Sequence, residues 1–226
     1  MSTDYFFKRI LYTIVSLTFT AFCAFGCIYA GIIRNAQKVE GGSCFYFLVT
    51  DDTKTEVGAE FAKLEGGAGY LLEHEGKEYV TLAVYVEESE GVAVQQNLQK
   101  AGKTTFLLQK STPMLWFKGK EKKQASFYVS GLNTLKSYLY ALKSTIDCLD
   151  EGLSQERCKG LLNTQVRQYK HAKECYKEYK KLSEVFEKSA QQLVAILDGV
   201  IYLKDLRYLL CWQTEKYLAL CSEFSL

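Results

Sequence analysis

The sequence predicts an α+β protein in three consecutive parts: an N-terminal transmembrane helix, a small sandwich of order βαββαβ, and a C-terminal helical hairpin or bundle. Three observations predict it. Ile10–Ile33 is an apolar run without a single Asp, Glu, Lys or Arg; Cys44–Lys110 alternates strand-like and helix-like segments; and from Ser126 onward leucines recur at alternating spacings of three and four. The boundaries that follow are 1–9 for a cytoplasmic stub, 10–33 for the membrane helix, 34–43 for a linker, 44–110 for the sheet domain, 111–125 for a connector and 126–226 for the helices.

At helical rise the first run spans roughly 36 Å, enough for a ~30 Å hydrocarbon core with some tilt. It exceeds the apolar core of a secretory signal peptide, which is about 7–15 residues long. Lys8 and Arg9 precede it, and Arg34, Lys38 and Glu40 follow. The positive-inside bias then keeps the amino terminus cytoplasmic and places the bulk of the chain outside the cell membrane, as a single-pass protein.

Composition narrows the partners. A formal charge of +2 over 226 residues creates no field that would recruit nucleic acid. With one proline, Pro113, long helices are favoured over an extended linker. No CxxC pair occurs and the chain holds 2 histidines, His74 and His171, so no metal site is expected, and no cofactor either.

The sheet domain reads as a strand at Cys44–Thr50, then a helix at Glu56–Glu65 carrying Val57, Phe61 and Leu64 on one face and closed by Gly66-Gly67. A strand at Gly69–His74 turns at Glu75-Gly76-Lys77 into the strongest strand, Glu78–Val86. A helix at Glu87–Ala101 and a strand at Thr104–Gln109 complete it. The two halves echo each other: Ala59 to Leu64, a glycine stop and Tyr70-Leu71-Leu72 recur as Ala93 to Leu98, a glycine stop and Phe106-Leu107-Leu108. Strict alternation in Glu78–Val86 puts Val80, Leu82, Val84 and Val86 towards the helices, leaving Tyr79, Thr81, Ala83 and Tyr85 on an open face.

This element order and half-repeat resemble the SPOR (sporulation-related repeat) family. Phe45-Tyr46-Phe47-Leu48-Val49 is similar to the family's opening strand, and Lys77 to Tyr85 followed by Glu87 to Leu98 is similar to its third strand and second helix. The resemblance covers about 44–110. It departs at Leu48, Thr50 and Val80, where the family commonly has Gln, Gly and Arg. It implies a ferredoxin-like split βαβ fold and binding of peptidoglycan glycan on the open sheet face, in cell division or sporulation. The residues carried over to glycan binding are Tyr46, Tyr79, Thr81, Tyr85 and Gln109. The tyrosines equally suit ordinary sheet packing.

In the C-terminal part, Leu132, Leu135, Leu139, Leu142, Ile146 and Leu149 form a heptad seam. Asp150-Glu151-Gly152 interrupts it, and Ser154 reads as the cap of the next helix. A second, wetter seam runs from Leu162 through Gln165, Tyr169, Ala172, Tyr176, Tyr179, Ser183, Phe186, Ala190, Leu193 and Leu197 to Val200 as one helix, with a third segment beyond Gly199. Cys148 and Cys158 lie equidistant from the turn near Leu153, so they form either a disulfide or a pair of buried thiols.

No catalytic constellation is present. Gly66-Gly67-Ala68-Gly69 lacks the Lys and Ser/Thr of a phosphate loop, and there is no GxSxG, HExxH or Cys/His pattern. The sequence therefore offers two non-enzymatic functions. One is glycan binding by the sheet domain. The other is a structural or interaction protein whose heptad helices drive self-association or hold a protein partner, the sheet serving as a spacer.

Overall fold

A computed structural model describes residues 37–39, 43–50, 55–112, 115–117 and 122–223. In chain order these form β1 (Gln37–Val39), β2 (Cys44–Thr50), α1 (Thr55–Leu64), β3 (Tyr70–His74), β4 (Lys77–Tyr85), α2 (Glu88–Lys100), β5 (Thr105–Ser111) and β6 (Leu115–Phe117), followed by four helices. The helices are α3 (Lys122–Asp150), α4 (Gln155–Cys175), α5 (Lys180–Leu197) and α6 (Leu203–Ser222).

The main sheet has four antiparallel strands in the order β3-β4-β2-β5. Its β3–β4 hairpin turns on Glu75 (φ 52°) and Gly76 (φ 74°), the left-handed pair of a two-residue hairpin loop. A separate ladder pairs β1 with β6, so residues assigned to the linker and the connector meet as Gln37 opposite Phe117 and Val39 opposite Leu115.

Strand β4 departs from strict alternation. Leu48 pairs with Ala83 but Val49 pairs with Thr81, so Leu82 is an extra residue in the ladder, a β-bulge. Side chains of one parity therefore change face along the strand. Before the bulge, Tyr79 and Thr81 share a face with Val49 and Leu72; after it, Ala83 and Tyr85 share the other with Leu48 and Tyr46.

Both faces of the sheet carry helices. On one side Phe45, Phe47, Val49, Leu72 and Val84 enter a hydrophobic core continuous with Leu132, Leu139, Leu162, Phe186 and Leu206 of the four helices. Phe45 meets Tyr217 of α6 edge-on at 5.8 Å between ring centroids, and Tyr70 meets Tyr208 likewise at 5.3 Å. On the other side lie α1 and α2. Val80 and Leu82 pack under Ala59 and Ala62 of α1, and Gly91 of α2 sits so close to Leu107 and Tyr85 that a Cβ there would lie 3.0–3.2 Å from them.

The four helices run as a ring, α3 against α4, α4 against α5, α5 against α6 and α6 back on α3, joined by short turns. The α3 seam faces inward: Leu132, Leu135, Leu139, Leu142 and Ile146 are all at most 4% exposed. Ser154 caps α4 by accepting a hydrogen bond from the Arg157 amide at 3.4 Å.

The predicted architecture is thus corrected. Sheet and helices are not separate units strung from an anchor; they form one mostly helical α+β body with a shared core. The hairpin is a four-helix ring, because the chain reverses at Tyr176–Tyr179 where a continuous helix was expected. Neither Gly nor Pro marks that turn. Aromatic anchors hold it instead: the Tyr176 hydroxyl lies 3.2 Å from Ser130 Oγ and 3.3 Å from Thr134 Oγ1, and the Tyr179 hydroxyl donates to the Gln124 carbonyl at 2.7 Å.

The membrane assignment is corrected as well. Among the described residues no helix is long and apolar enough to cross a membrane. The anchor read at Ile10–Ile33 lies outside the described residues, so the single-pass, extracytoplasmic placement has no structural support.

Candidate functional site

Helix α1 packs on the sheet with its small side. Gly58, Ala59 and Ala62 are buried, whereas Val57, Phe61 and Leu64 are 53%, 61% and 78% exposed. The reason is the chain that follows. Gly69, at φ 58°, crosses so near the helix that a Cβ there would stand 2.3 Å from the Ala59 carbonyl oxygen, and one on Gly67 would stand 3.1 Å from that of Ala62. Only small residues fit against such a loop, so the bulkier stripe points away and forms an apolar ridge.

Between α1 and α2 a cleft of about 590 Å³ opens onto the sheet. Leu48, Leu82 and Ala83 form its floor, Ala62 and Glu65 of α1 one wall, and Val94 and Leu98 of α2 the other. Charged side chains of three helices close its far end. Lys143 of α3 reaches across to Glu90 of α2 at 3.0 Å and to Asp147 at 2.7 Å, with its ammonium 5.7 Å from the Tyr85 ring centroid. Arg207 of α6 donates to the Gly66 carbonyl at 2.7 Å and to Asp150 at 3.1 Å. Lys103 pairs with Glu65 at the near rim.

These contacts set the proton affinities. Burial works to lower Lys143, but its bonds to Asp147 and Glu90 outweigh it and hold the ammonium above its ordinary range. Burial pushes the Tyr85 phenol up to about 12, with Arg207 opposing and Glu90 adding to the rise. Neither group is poised to exchange a proton near neutrality. The rim carries five carboxylates (Glu65, Glu90, Asp147, Asp150, Glu151) against three cations (Lys103, Lys143, Arg207), and each cation is already bound to a carboxylate. The cleft is apolar below and net acidic at its mouth.

The residues assigned to glycan divide between two faces. Tyr46, Tyr85 and Gln109 do come together, in one row across β4, β2 and β5 on the α1–α2 side. Of these, only Tyr85 lines the cleft, and the Gln109 amide donates to Cys44 Sγ at 3.6 Å. Tyr79 and Thr81 lie on the bundle side. Thr81 is 0% exposed, and Tyr79 packs edge-on against Phe106 at 5.4 Å. No single exposed aromatic platform results, because the bulge at Leu82 separates the two pairs and helices cover both faces. The peptidoglycan, cell-wall, division and sporulation assignments are therefore set aside.

Other sequence assignments resolve simply. Cys148 and Cys158 carry free thiols, Cys158 buried, as do Cys44, Cys175, Cys211 and Cys221 among the described residues. The described residues hold no His/Cys/Asp/Glu group able to bind a metal ion. Asp51-Asp52 lies outside them. The heptad seams, expected to hold a partner, are mostly buried inside the ring, where each interior leucine contributes about 1.5–3 kcal/mol without any partner; at their ends Leu149 and Leu197 are half-buried and Val200 is exposed.

Glu90, Lys143 and Arg207 belong to no motif, and sequence reading passed over them. Glu90 and Lys143 are 53 positions apart, and Arg207 and Gly66 are 141 apart. One local trace existed: Lys143 and Asp147 are spaced i,i+4 on the polar side of a clear heptad helix. Comparison of the chain with protein-family models, curated proteins and solved structures finds no match.

Proposed function

We propose that this chain is a non-enzymatic binding protein whose α1–α2 cleft takes an amphipathic cation, such as a lysine- or arginine-bearing apolar segment of a partner. One observation carries the reading: an apolar floor beneath a rim where five carboxylates face three already-paired cations. A bound apolar body would cover Leu48 and Leu82, while its cationic head would meet the surplus negative charge. The exposed ridge of Val57, Phe61 and Leu64 lies on α1, the helix that forms one wall of the cleft, and offers further apolar surface of the kind that marks interaction sites. The interaction role read from the heptads is retained in kind but moved from the buried seams to this cleft.

The test is a methyl-detected NMR titration of the full chain with octylammonium, octanol and octanoate as matched probes. Octylammonium is expected to shift the methyls of Leu48, Leu82 and Val94, octanol more weakly and octanoate least. An equal or stronger response to octanoate would sink the reading, as would shifts confined to other parts of the protein.

A further inference from the structure

The interior of the four-helix ring carries polar groups that a dry leucine core would not keep. Gln165 of α4, Ser189 of α5 and Gln213 of α6 are 5%, 0% and 0% exposed. Gln165 Oε1, Ser189 Oγ and Gln213 Nε2 have no hydrogen-bond partner among the described residues. The Gln213 amide is not free to turn away from this interior. The fully buried Tyr169 hydroxyl donates to its Oε1 at 2.9 Å, which fixes the amide and leaves Nε2–H as the outward donor.

The helix register brings Gln165 and Ser189 to about one level, within a turn of Gln213. Helices α4 and α5 run antiparallel, as shown by the Ser183 hydroxyl donating to the Lys173 carbonyl, the Lys173–Glu187 ion pair and the Tyr169–Phe186 ring contact at 6.2 Å. Gln165 lies one turn before Tyr169 on α4, and Ser189 lies nearly one turn after Phe186 on α5. In antiparallel helices both steps run the same way, so the two orphans both lie about 4.5–6 Å along the axis from the Tyr169–Gln213 layer.

We infer that this layer of the bundle is a binding site for internal water. The donor set decides the ligand. An outward N–H, an amide oxygen and a hydroxyl that can serve either way ask for a small neutral molecule that both donates and accepts. No cationic side chain is among the three orphaned groups to hold an anion, no carboxylate is there to hold a metal ion, and an apolar occupant would leave every orphan unpaired. Water bridging the three helices satisfies Gln165, Ser189 and Gln213 together and extends the Tyr169–Gln213 bond into a polar layer across the ring.

The test is oxygen-17 magnetic relaxation dispersion on the full chain, with Ser189→Ala and Gln165→Met as variants. The wild-type protein is expected to show a dispersion step from water that outlives molecular tumbling, and the step should shrink in both variants. Absence of the step, or a step unchanged in both variants, overturns the inference. Thermal unfolding gives an independent sign. Loss of a water-satisfied hydroxyl lowers the Ser189→Ala Tm by about 2–4 °C. A rise in Tm would mean that the hydroxyl is buried dry, and would equally overturn it.

Discussion

The sheet half and the helical half of this protein both present amphipathic helices to a core, yet they bury opposite sides of them. In α3 the large side chains go in: Leu132, Leu135, Leu139, Leu142 and Ile146 fill the ring. In α1 the small ones go in, and Val57, Phe61 and Leu64 stay outside. The difference teaches that an apolar stripe states which residues prefer burial, while the space beside the helix determines which can be buried. In the ring, helices meet helices across side chains and accommodate leucine. Beside α1, the backbone at Gly67 and Gly69 approaches the helix so closely that nothing larger than alanine fits.

Three substitutions probe that contrast. The largest effect is expected at Gly131 of α3, a place in the ring where the helix must be slim. A Cβ there would lie 2.4 Å from the Leu182 side chain and 3.1 Å from the Tyr176 ring, both buried. Gly131→Leu should prevent cooperative folding, read as loss of the near-ultraviolet circular dichroism signal. A normally folded Gly131→Leu protein would show that the ring relaxes freely and would undo the packing argument.

Next comes Leu142→Ala in the buried seam. Truncating a fully buried leucine costs about 2–5 kcal/mol, measurable as a lowered urea midpoint with little change in slope. A cost below about 1 kcal/mol would mean that the seam is not the ring's structural core. The smallest effect belongs to Phe61→Ser on the α1 ridge. Although the side chain is a large aromatic, its removal should shift stability by no more than about 0.5 kcal/mol. A loss comparable to that of Leu142→Ala would show that Phe61 is covered in the protein and would erase the distinction between the two halves.

Element by element, the sequence carried much of the secondary structure. The spacing of Leu132 to Leu149 identified α3, Ser154 announced the start of α4, and Glu75-Gly76 marked the hairpin between β3 and β4. These are local signals, set by periodicity, capping and backbone conformation within a few residues. The turn at Tyr176–Tyr179 escaped notice because its hold on the chain comes from Gln124, Ser130 and Thr134, more than 40 positions earlier. The bulge at Leu82 escaped because alternation in one strand contains no information about its partner's register.

The cleft was the least legible feature. Its floor residues were read as strand, and Glu90, Lys143 and Arg207 received no role. Salt bridges such as Glu90–Lys143 and Arg207–Asp150 exist only after three helices have been placed against one another.

The sequence by itself determined most of the segments that are helical or extended and which residues favour burial, because these follow from side chains a few positions apart. The tertiary structure alone decided which side of α1 turns inward, which sheet residues share a face, and where charge gathers over an apolar floor. Those outcomes depend on contacts between residues distant in the chain, where close packing and the loss of water select one arrangement from the several that local preference allows.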